Sequence, residues 1–472
     1  VIPHDLMAPL MFGALVLFML IGYPVAFSLA AVGLSFAFVA VHSGFFEVVL
    51  LQALPQRIFG IMSNDLLLAI PFFTFMGAVL ERCGLAEDML LGMGQLFGPI
   101  RGGLAYAVII VGAILGAITG TVAASVIAMG LISLPLMQRY GYDMKLATGV
   151  IAASGTITQL IPPSLVLIVL ADQLGRSVGD MYAGAIGPSI VQVLLFCAYV
   201  VGLSIVKPKA MPALPREAMT LTGWALYSRI LWGMVPSLVL IFLVLGTIMM
   251  GLATPTEGGA MGAVGAIILA AMHRRLNWEL LWQGMETTMR ITAMVIFILV
   301  GSSIFTLVFR GVDGDTWIEH LLTSLPGGAV GFLIFVNLFV FVLAFFLDFF
   351  EIAFIIIPLL APVATKLGID LIWFGVLLCA NMQTSFMHPP FGFALFYLRG
   401  IAPKDVKSSD IYWGAIPWVV LQLILVAILI FWPGMVTSFL DKDVVVDTNN
   451  MQIEIPAETP LQPEPDANPP KK

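Results

Sequence analysis

The sequence predicts an all-α polytopic membrane protein made of two inverted-topology repeats, each holding a re-entrant helical hairpin and a broken transmembrane helix. Three observations predict it. Of 472 residues, 60% are hydrophobic and only 10% charged, with a mean hydropathy of +1.04. A long stretch of the first half of the chain recurs in the second. Each copy also sets a run of hydroxyl and amide side chains directly before a Pro-Pro pair, "ASGTITQLIPPS" and "NMQTSFMHPPFG".

Soluble domains carry about 25% charged residues, so this composition places the chain in a bilayer. Apolar runs of about 20 residues, each long enough to span, follow one another as far as Met435 and leave no room for a soluble domain. The first run has no cationic region or cleavage site ahead of it and reads as a span, not a signal peptide. Cys83, Cys197 and Cys379 lie far apart in apolar surroundings and read as packing residues. No Walker A, dinucleotide loop or nucleic-acid patch occurs, and HExxH, GxGD and GxSxG are all missing. ATP drive, nucleic-acid binding and enzymatic activity are therefore not expected of this chain. The net charge of −7 comes partly from an acidic, Pro-rich tail, residues 436–472, whose composition reads as disordered.

Residues 1–64 read as N-terminal scaffold helices. Lysine and arginine favour the cytoplasmic side, which places the loops at Arg139/Lys145, Lys207/Lys209/Arg216, Arg274/Arg275 and Arg399/Lys404/Lys407 inside. The N-terminus, "DQLGRSVGD", "RGVDGDTW" and the tail are then outside. "LPLMQRYGYDMKLATGVIAASGTITQLIPPS" parallels "LAPVATKLGIDLIWFGVLLCANMQTSFMHPPF", and "YAGAIGPSIVQVLLF" parallels "YWGAIPWVVLQLILV". The copies run over 65–206 and 286–435, separated by a linker and central scaffold helices at 207–285. The first begins outside and the second inside, so they are inverted, a pattern typical of transporters with a midplane binding site.

Hairpin 1, about 103–137, carries Thr119, Gly120, Thr121 and Ser125 between two apolar halves that each read as too short to span. Broken helix 1, about 146–171, carries Ser154, Gly155, Thr156, Thr158, Pro162 and Pro163. Hairpin 2, about 329–365, centres on Asp348 and Glu351, and broken helix 2, about 370–398, holds Asn381, Thr384, Ser385, Pro389 and Pro390. Irregular backbone at membrane depth is tolerated only inside protein or beside a water-filled cavity. Proline removes amide donors and frees carbonyls, so each break plus its hydroxyls would make an oxygen-lined notch for a monovalent cation or substrate. The alternative is a kinked helix whose hydroxyls bond back to the preceding turn. Asp348 and Glu351 read equally as functional groups or as capping, solvated acids. His388 reads as a structural hydrogen-bonding residue before a proton relay. No Lys or Arg falls at mid-span, so a carboxylate would be held by helix N-termini, hydroxyls and bound cations. "AEDMLLGMGQLFGPI" and "NWELLWQGMETTMRI" read as interfacial arms or plain amphipathic connectors.

Taken together, "GAITGTVAAS", "GVIAASGTITQLIPPS", "ATPTEGGAMGA" and "LDFFEIAFIIIPLLAP" resemble the large membrane subunit, DctM type, of tripartite ATP-independent periplasmic (TRAP) transporters, over nearly the whole chain to Met435. The resemblance implies the ion-transporter superfamily and an elevator-type, sodium-driven importer of organic acids in the bacterial inner membrane. Its partners would be a small four-helix membrane subunit (DctQ type), a soluble periplasmic substrate-binding protein (DctP type) and membrane lipid. Carried over by position, Thr119, Gly120, Thr121 and Ser125 with Ser154, Gly155, Thr156, Pro162 and Pro163 would form one Na+ site beside substrate. Hairpin 2 around Asp348 with Asn381, Thr384, Ser385, Pro389 and Pro390 would form the other. Glu257 in "TPTEGG" reads as structural. The chain differs from the common family pattern at "HPPFG" and at "LDFFEI", which is bulkier and more acidic. A 2-oxo acid or dicarboxylate is the expected cargo, and a stand-alone ion-coupled carboxylate carrier is the competing expectation.

Overall fold

Polar breaks can sit inside a membrane protein only if the rest of the chain wraps them, and that requirement organises this fold. The computed structural model describes residues 2–441. In chain order the helices are α1 (His4–Ile21), α2 (Val25–His42), α3 (Leu54–Met62), α4 (Ala69–Arg82), α5 (Leu85–Leu96), α6 (Gly103–Thr119), α7 (Val122–Arg139), α8 (Met144–Thr156), α9 (Leu165–Leu174) and α10 (Val178–Val206). They continue with α11 (Trp224–Met249), α12 (Pro255–Met272), α13 (Trp278–Gly311), α14 (Gly314–Thr323) and α15 (Gly328–Leu343). Next come α16 (Phe349–Glu351), a π-helical turn (Ile352–Ile356) and α17 (Ile357–Lys366), then α18 (Leu371–Met382), α19 (Phe393–Ile401), α20 (Ser408–Phe431) and α21 (Gly434–Thr437). Among the described residues nine helical segments are long and apolar enough to cross a bilayer, or up to eleven if two bent pairs count as spans.

One succession occurs twice. A helix (α4 or α13), a short helix (α5 or α14), two helices joined by a tight break (α6/α7 or α15/α16–α17), two helices around a Pro-Pro break (α8/α9 or α18/α19) and a long helix (α10 or α20) follow in that order. The broken pairs form the core: every residue from Leu146 to Thr156 is buried, as is nearly all of α9 and α18. The long helices α10 and α11 instead leave much of their apolar surface exposed, as lipid-facing helices do.

Two elements depart from the sequence expectations. One half of hairpin 1 is longer than expected: α7, with 18 residues, has the length of a span, while α6, with 17, stays short of one as expected. The apolar run simply continues past the small residues that suggested an early stop. The first residues of the tail at 436–472 are helical and packed, with Met435 and Val436 buried against α10, because both are apolar. The disorder expected of the remainder concerns residues 442–472, which lie outside the described residues.

α13 has 34 residues, about 51 Å at 1.5 Å per residue, well beyond the ~30 Å hydrocarbon core. Its first turns, with exposed Trp278 and Trp282, therefore extend past the span. α12 opens on Thr254, whose Oγ1 accepts from Glu257 N at 3.2 Å while Glu257 Oε2 accepts from Thr254 N at 2.9 Å. This reciprocal capping box gives Glu257 a structural role. Glu257→Ala is expected to lower stability by about 1 kcal/mol, read as an earlier thermal unfolding midpoint in detergent.

Candidate functional site

Hairpin 1 straddles broken helix 1. On α6, a Cβ added at Gly112 would come 2.7 Å from Ser154 Cβ, and one at Gly116 would come 3.0 Å from Thr158 Cα, so only glycine allows this approach. On the α7 side, Gly155 lies against Val126. The turn between α6 and α7 needs a left-handed residue, and Gly120 supplies it at φ +64°. Thr119 Oγ1 donates to Leu115 O at 3.0 Å and lies 3.0 Å from Ser125 Oγ, which donates to Thr121 O at 3.2 Å. Gly120 faces the carbonyl of Pro163.

At the break between α8 and α9, Ser164 Oγ donates to Gln159 O at 2.6 Å and accepts from the N–H of Val166 and Leu167, capping α9. Thr156 Oγ1 donates back to Ala153 O at 2.8 Å, and Thr384 Oγ1 donates to Asn381 O at 2.7 Å. For these two threonines the back-bonding alternative describes the geometry. Ser154 Oγ, Thr158 Oγ1 and Gln159 Oε1 are buried without a protein hydrogen-bond partner.

The second hairpin and broken helix are joined by amides and rings. Asn381 Nδ2 donates to Asn337 O at 2.7 Å and to Asn337 Oδ1 at 3.0 Å, tying α18 to α15. Asp348 N-caps α16: its Oδ1 accepts from Glu351 N at 2.9 Å, while Glu351 Oε2 accepts from Asp348 N at 3.0 Å. Both acids thus cap, and neither is simply solvated. His388 is buried, stacked 3.9 Å from the ring of Phe345 and edge-on to Phe341 at 4.5 Å. Both its ring nitrogens are buried without a hydrogen-bond partner, so aromatic packing, not the hydrogen bonding expected of it, holds the ring in place. Phe349 at this tip lies 6.0 Å, ring to ring, from Phe386 before the second break.

These tips and breaks enclose one cavity of about 280 Å³. Of the residues singled out from sequence, Gly120, Thr121 and Asp348 line it. Thr119, Ser125, Ser154, Gly155, Thr156, Pro163, Glu351, Asn381, Thr384 and Ser385 do not line it. Pro162 borders an apolar lateral groove with Ile114 and Ile241, and Pro389 and Pro390 sit towards the outside of the second break. Four helices present their first residue to the cavity: α7 with Val122, α9 with Leu165, α16 with Phe349 and α19 with Phe393. No side chain caps α7 or α19, which leaves first-turn N–H donors for a ligand. No Lys or Arg lines the cavity. Its electrostatics therefore pair four partly positive helix ends with the carboxyl of Asp348.

The sequence reading missed Gln159, Phe386, Phe393 and Tyr397, as well as Ile291 and Met294 on α13, all in the lining. It also missed a reciprocal pair of buried amides. Gln422 of α20 donates from Nε2 to Thr156 Oγ1 at 2.9 Å, and Gln383, just after α18, donates from Nε2 to Gln192 Oε1 of α10 at 3.0 Å. Each bond joins one copy of the succession to the other. The signal was present: Gln192 and Gln422 hold the same place in "YAGAIGPSIVQ" and "YWGAIPWVVLQ". Gln192→Leu strands the Gln383 amide and is expected to destabilise by about 1–3 kcal/mol, with Gln192→Leu/Gln383→Leu recovering part of the loss. Thermal unfolding of the four-member mutant cycle in detergent checks it.

Comparison with known proteins adds to this geometry. The family described as "Tripartite ATP-independent periplasmic transporter, DctM component" matches residues 12–435. The chain is 30% identical over 387 residues to the C4-dicarboxylate TRAP transporter large permease protein DctM of Pseudomonas aeruginosa, covering 81% of this chain and 88% of that one. It is 27% identical over 432 residues to the isethionate TRAP transporter permease protein DctMQ of Oleidesulfovibrio alaskensis, covering 91% of this chain and 66% of that longer protein. Among solved structures, the Alcanivorax borkumensis YdaH transporter superposes with a TM-score of 0.57 at 17% identity, covering 82% of this chain and 88% of that one.

Proposed function

Because the chain belongs to the DctM family of tripartite ATP-independent periplasmic transporters and is a multi-span large permease, not an enzyme, we propose that it imports a small organic acid coupled to sodium. The acid would be delivered by a DctP-type periplasmic binding protein, and a DctQ-type small subunit would complete the complex in the bacterial inner membrane. The observation that carries the reading is the convergence of four helix N-termini on a cavity with no cationic side chain. Helix N-termini bind carboxylates well, and at about 280 Å³ the cavity falls at or just below the small end of ligand sites. A C4-dicarboxylate, the cargo named for the Pseudomonas relative, or a 2-oxo acid suits that size.

Asp348 supplies the argument for a coupling cation. An anionic cargo entering beside its carboxylate meets repulsion that a low-dielectric site does not screen. A cation held among nearby oxygens offsets it. Ser154 Oγ, Thr158 Oγ1 and Gln159 Oε1 near the first break, and Asn381 Oδ1 near the second, are buried and unpartnered. Such oxygens suit a monovalent cation such as Na+. Among the described residues no group of three or more His, Cys, Asp or Glu gathers as a transition metal would require.

Transport would then follow an elevator course. The two successions are inverted repeats, 65–206 and 286–435. Their hairpins (about 103–137 and 329–365) and broken helices (146–171 and 370–398) move together as the cargo-bearing body. Residues 1–64 and 207–285 form the scaffold, and Ile291 and Met294 of α13 close one cavity wall.

The test is uptake of labelled succinate and pyruvate into proteoliposomes holding this chain and its small subunit, under an inward sodium gradient, with and without the binding protein. Uptake that needs both sodium and the binding protein is the expected result. Sodium-driven uptake without the binding protein would establish the stand-alone carrier instead.

A further inference from the structure

A second cleft, about 290 Å³, lies elsewhere on α13 and shares no residue with the first. The cavity meets α13 at Ile291 and Met294 and this cleft meets it from Leu299 to Arg310, beginning about 8 Å further along the helix and, by the loop charges, nearer the outside. Its walls come from parts of the chain far apart in sequence. Arg57 of α3 and Ser303, Thr306 and Arg310 of α13 face the end of α9 at Asp172 and Gln173.

The charges here balance in number, Arg57 and Arg310 against Asp172 and Asp315, but not in pairing. Arg310 Nε pairs with Asp315 Oδ2 at 3.0 Å, but among the described residues Arg57 makes no ion pair. Arg57 is half-buried and close enough to Arg310 for the two guanidiniums to repel one another. The acid in the lining does not neutralise it, because Asp172 accepts from Asn64 Nδ2 at 2.8 Å and from Gln173 Nε2 at 3.0 Å and lies beyond ion-pair range of Arg57. A half-buried guanidinium beside a like charge is unfavourable until an anion joins it, and its planar fork matches a carboxylate.

We propose that this cleft is an anion-binding site that takes a free small carboxylate between Arg57 and Arg310 before the acid reaches the cavity among the helix N-termini. The carboxylate class rests on the transport reading above; the anion site itself rests on the two arginines. Ser303 and Thr306 add hydroxyls on the α13 side. Because α9 forms the opposite wall, any movement of α9 relative to α3 and α13 would open or close the site.

The experiment labels a reporter cysteine in the full chain in detergent. Gly60 lines the cleft, and a Cβ added there meets nothing within 4 Å, so Gly60→Cys places a thiol in open space. The unaltered chain, with Cys83, Cys197 and Cys379, supplies the background. Two thiosulfonate reagents of similar size, one anionic and one cationic, are compared after correction for their rates with a free thiol. The expected preference for the anionic reagent is about tenfold, falling severalfold when Arg57→Gln is added. Millimolar succinate or pyruvate should slow labelling when Arg57 is present and not when it is replaced, with equimolar chloride as the ionic control.

Labelling indifferent to reagent charge, or unaffected by both acids, would overturn the proposal. So would protection by phosphatidylglycerol nanodiscs in place of the free acids, which would assign the cleft to a lipid phosphate. In proteoliposomes Arg57→Gln should raise the half-saturating acid concentration severalfold at an unchanged maximal rate; an unchanged half-saturating value would take the cleft off the path. Labelling requires no transport, so a failure of the transport reading would show separately, as charge-selective, acid-protected labelling in a chain that moves no acid.

Discussion

Asp348→Ala is expected to reduce sodium-driven uptake to background, the largest effect of any single substitution in this chain. The change removes two things. The first is the N-cap of α16, where Asp348 Oδ1 accepts from Glu351 N, a loss of about 1 kcal/mol that loosens the tip of hairpin 2. The second is the one carboxylate in the cavity lining, and with it the negative charge that would make cation binding favourable before cargo enters. Asp348→Asn separates them, because asparagine caps a helix as well as aspartate does. Its thermal midpoint should stay near that of the unaltered protein while sodium-dependent uptake is still lost. Normal uptake and an unchanged sodium dependence in Asp348→Asn would reduce Asp348 to a cap and remove it from coupling.

Gly120→Val should lower the initial uptake rate by about a hundredfold, the effect expected when a site residue is displaced by about 1 Å. Gly120 turns the chain from α6 to α7 at φ +64°, a region in which a β-branched residue is an outlier. The strain falls on the element that lines the cavity with Thr121 and Val122 and lies against the Pro163 carbonyl. Gly120→Ala, with the same φ penalty but no branch, should give an intermediate rate. Initial rates measured at equal reconstituted protein check the series; a valine variant that transports normally would mean that the tip need not be held in this geometry.

The membrane class was legible from composition alone, since no soluble core needs 60% apolar residues with 10% charged. The helix breaks were legible because proline cannot donate an amide, and each Pro-Pro pair interrupts an apolar run. Gly120 and Thr121 were legible, with Thr119 and Ser125, as a polar cluster midway between two apolar stretches. The length of the hairpin arms was not, because apolar residues on either side of Gly120 read the same whether a helix turns back at mid-depth or crosses. The roles of the hydroxyls were not legible either: Thr156 and Thr384 back-bond, while Ser154 and Thr158 do not, and that choice depends on which neighbour reaches each one.

The sequence by itself determined that the chain spans a membrane many times, where its helices break, and that one succession of elements occurs twice. Those features follow from transfer free energy and backbone hydrogen bonding, which act residue by residue. Only the tertiary structure decided that four helix N-termini meet at one cavity beside Asp348, that Gln192 and Gln422 each reach the broken helix of the other copy, and that Arg57 and Arg310 line one separate cleft. Each of those juxtapositions joins residues far apart in the chain, and packing geometry, not local composition, sets where they meet.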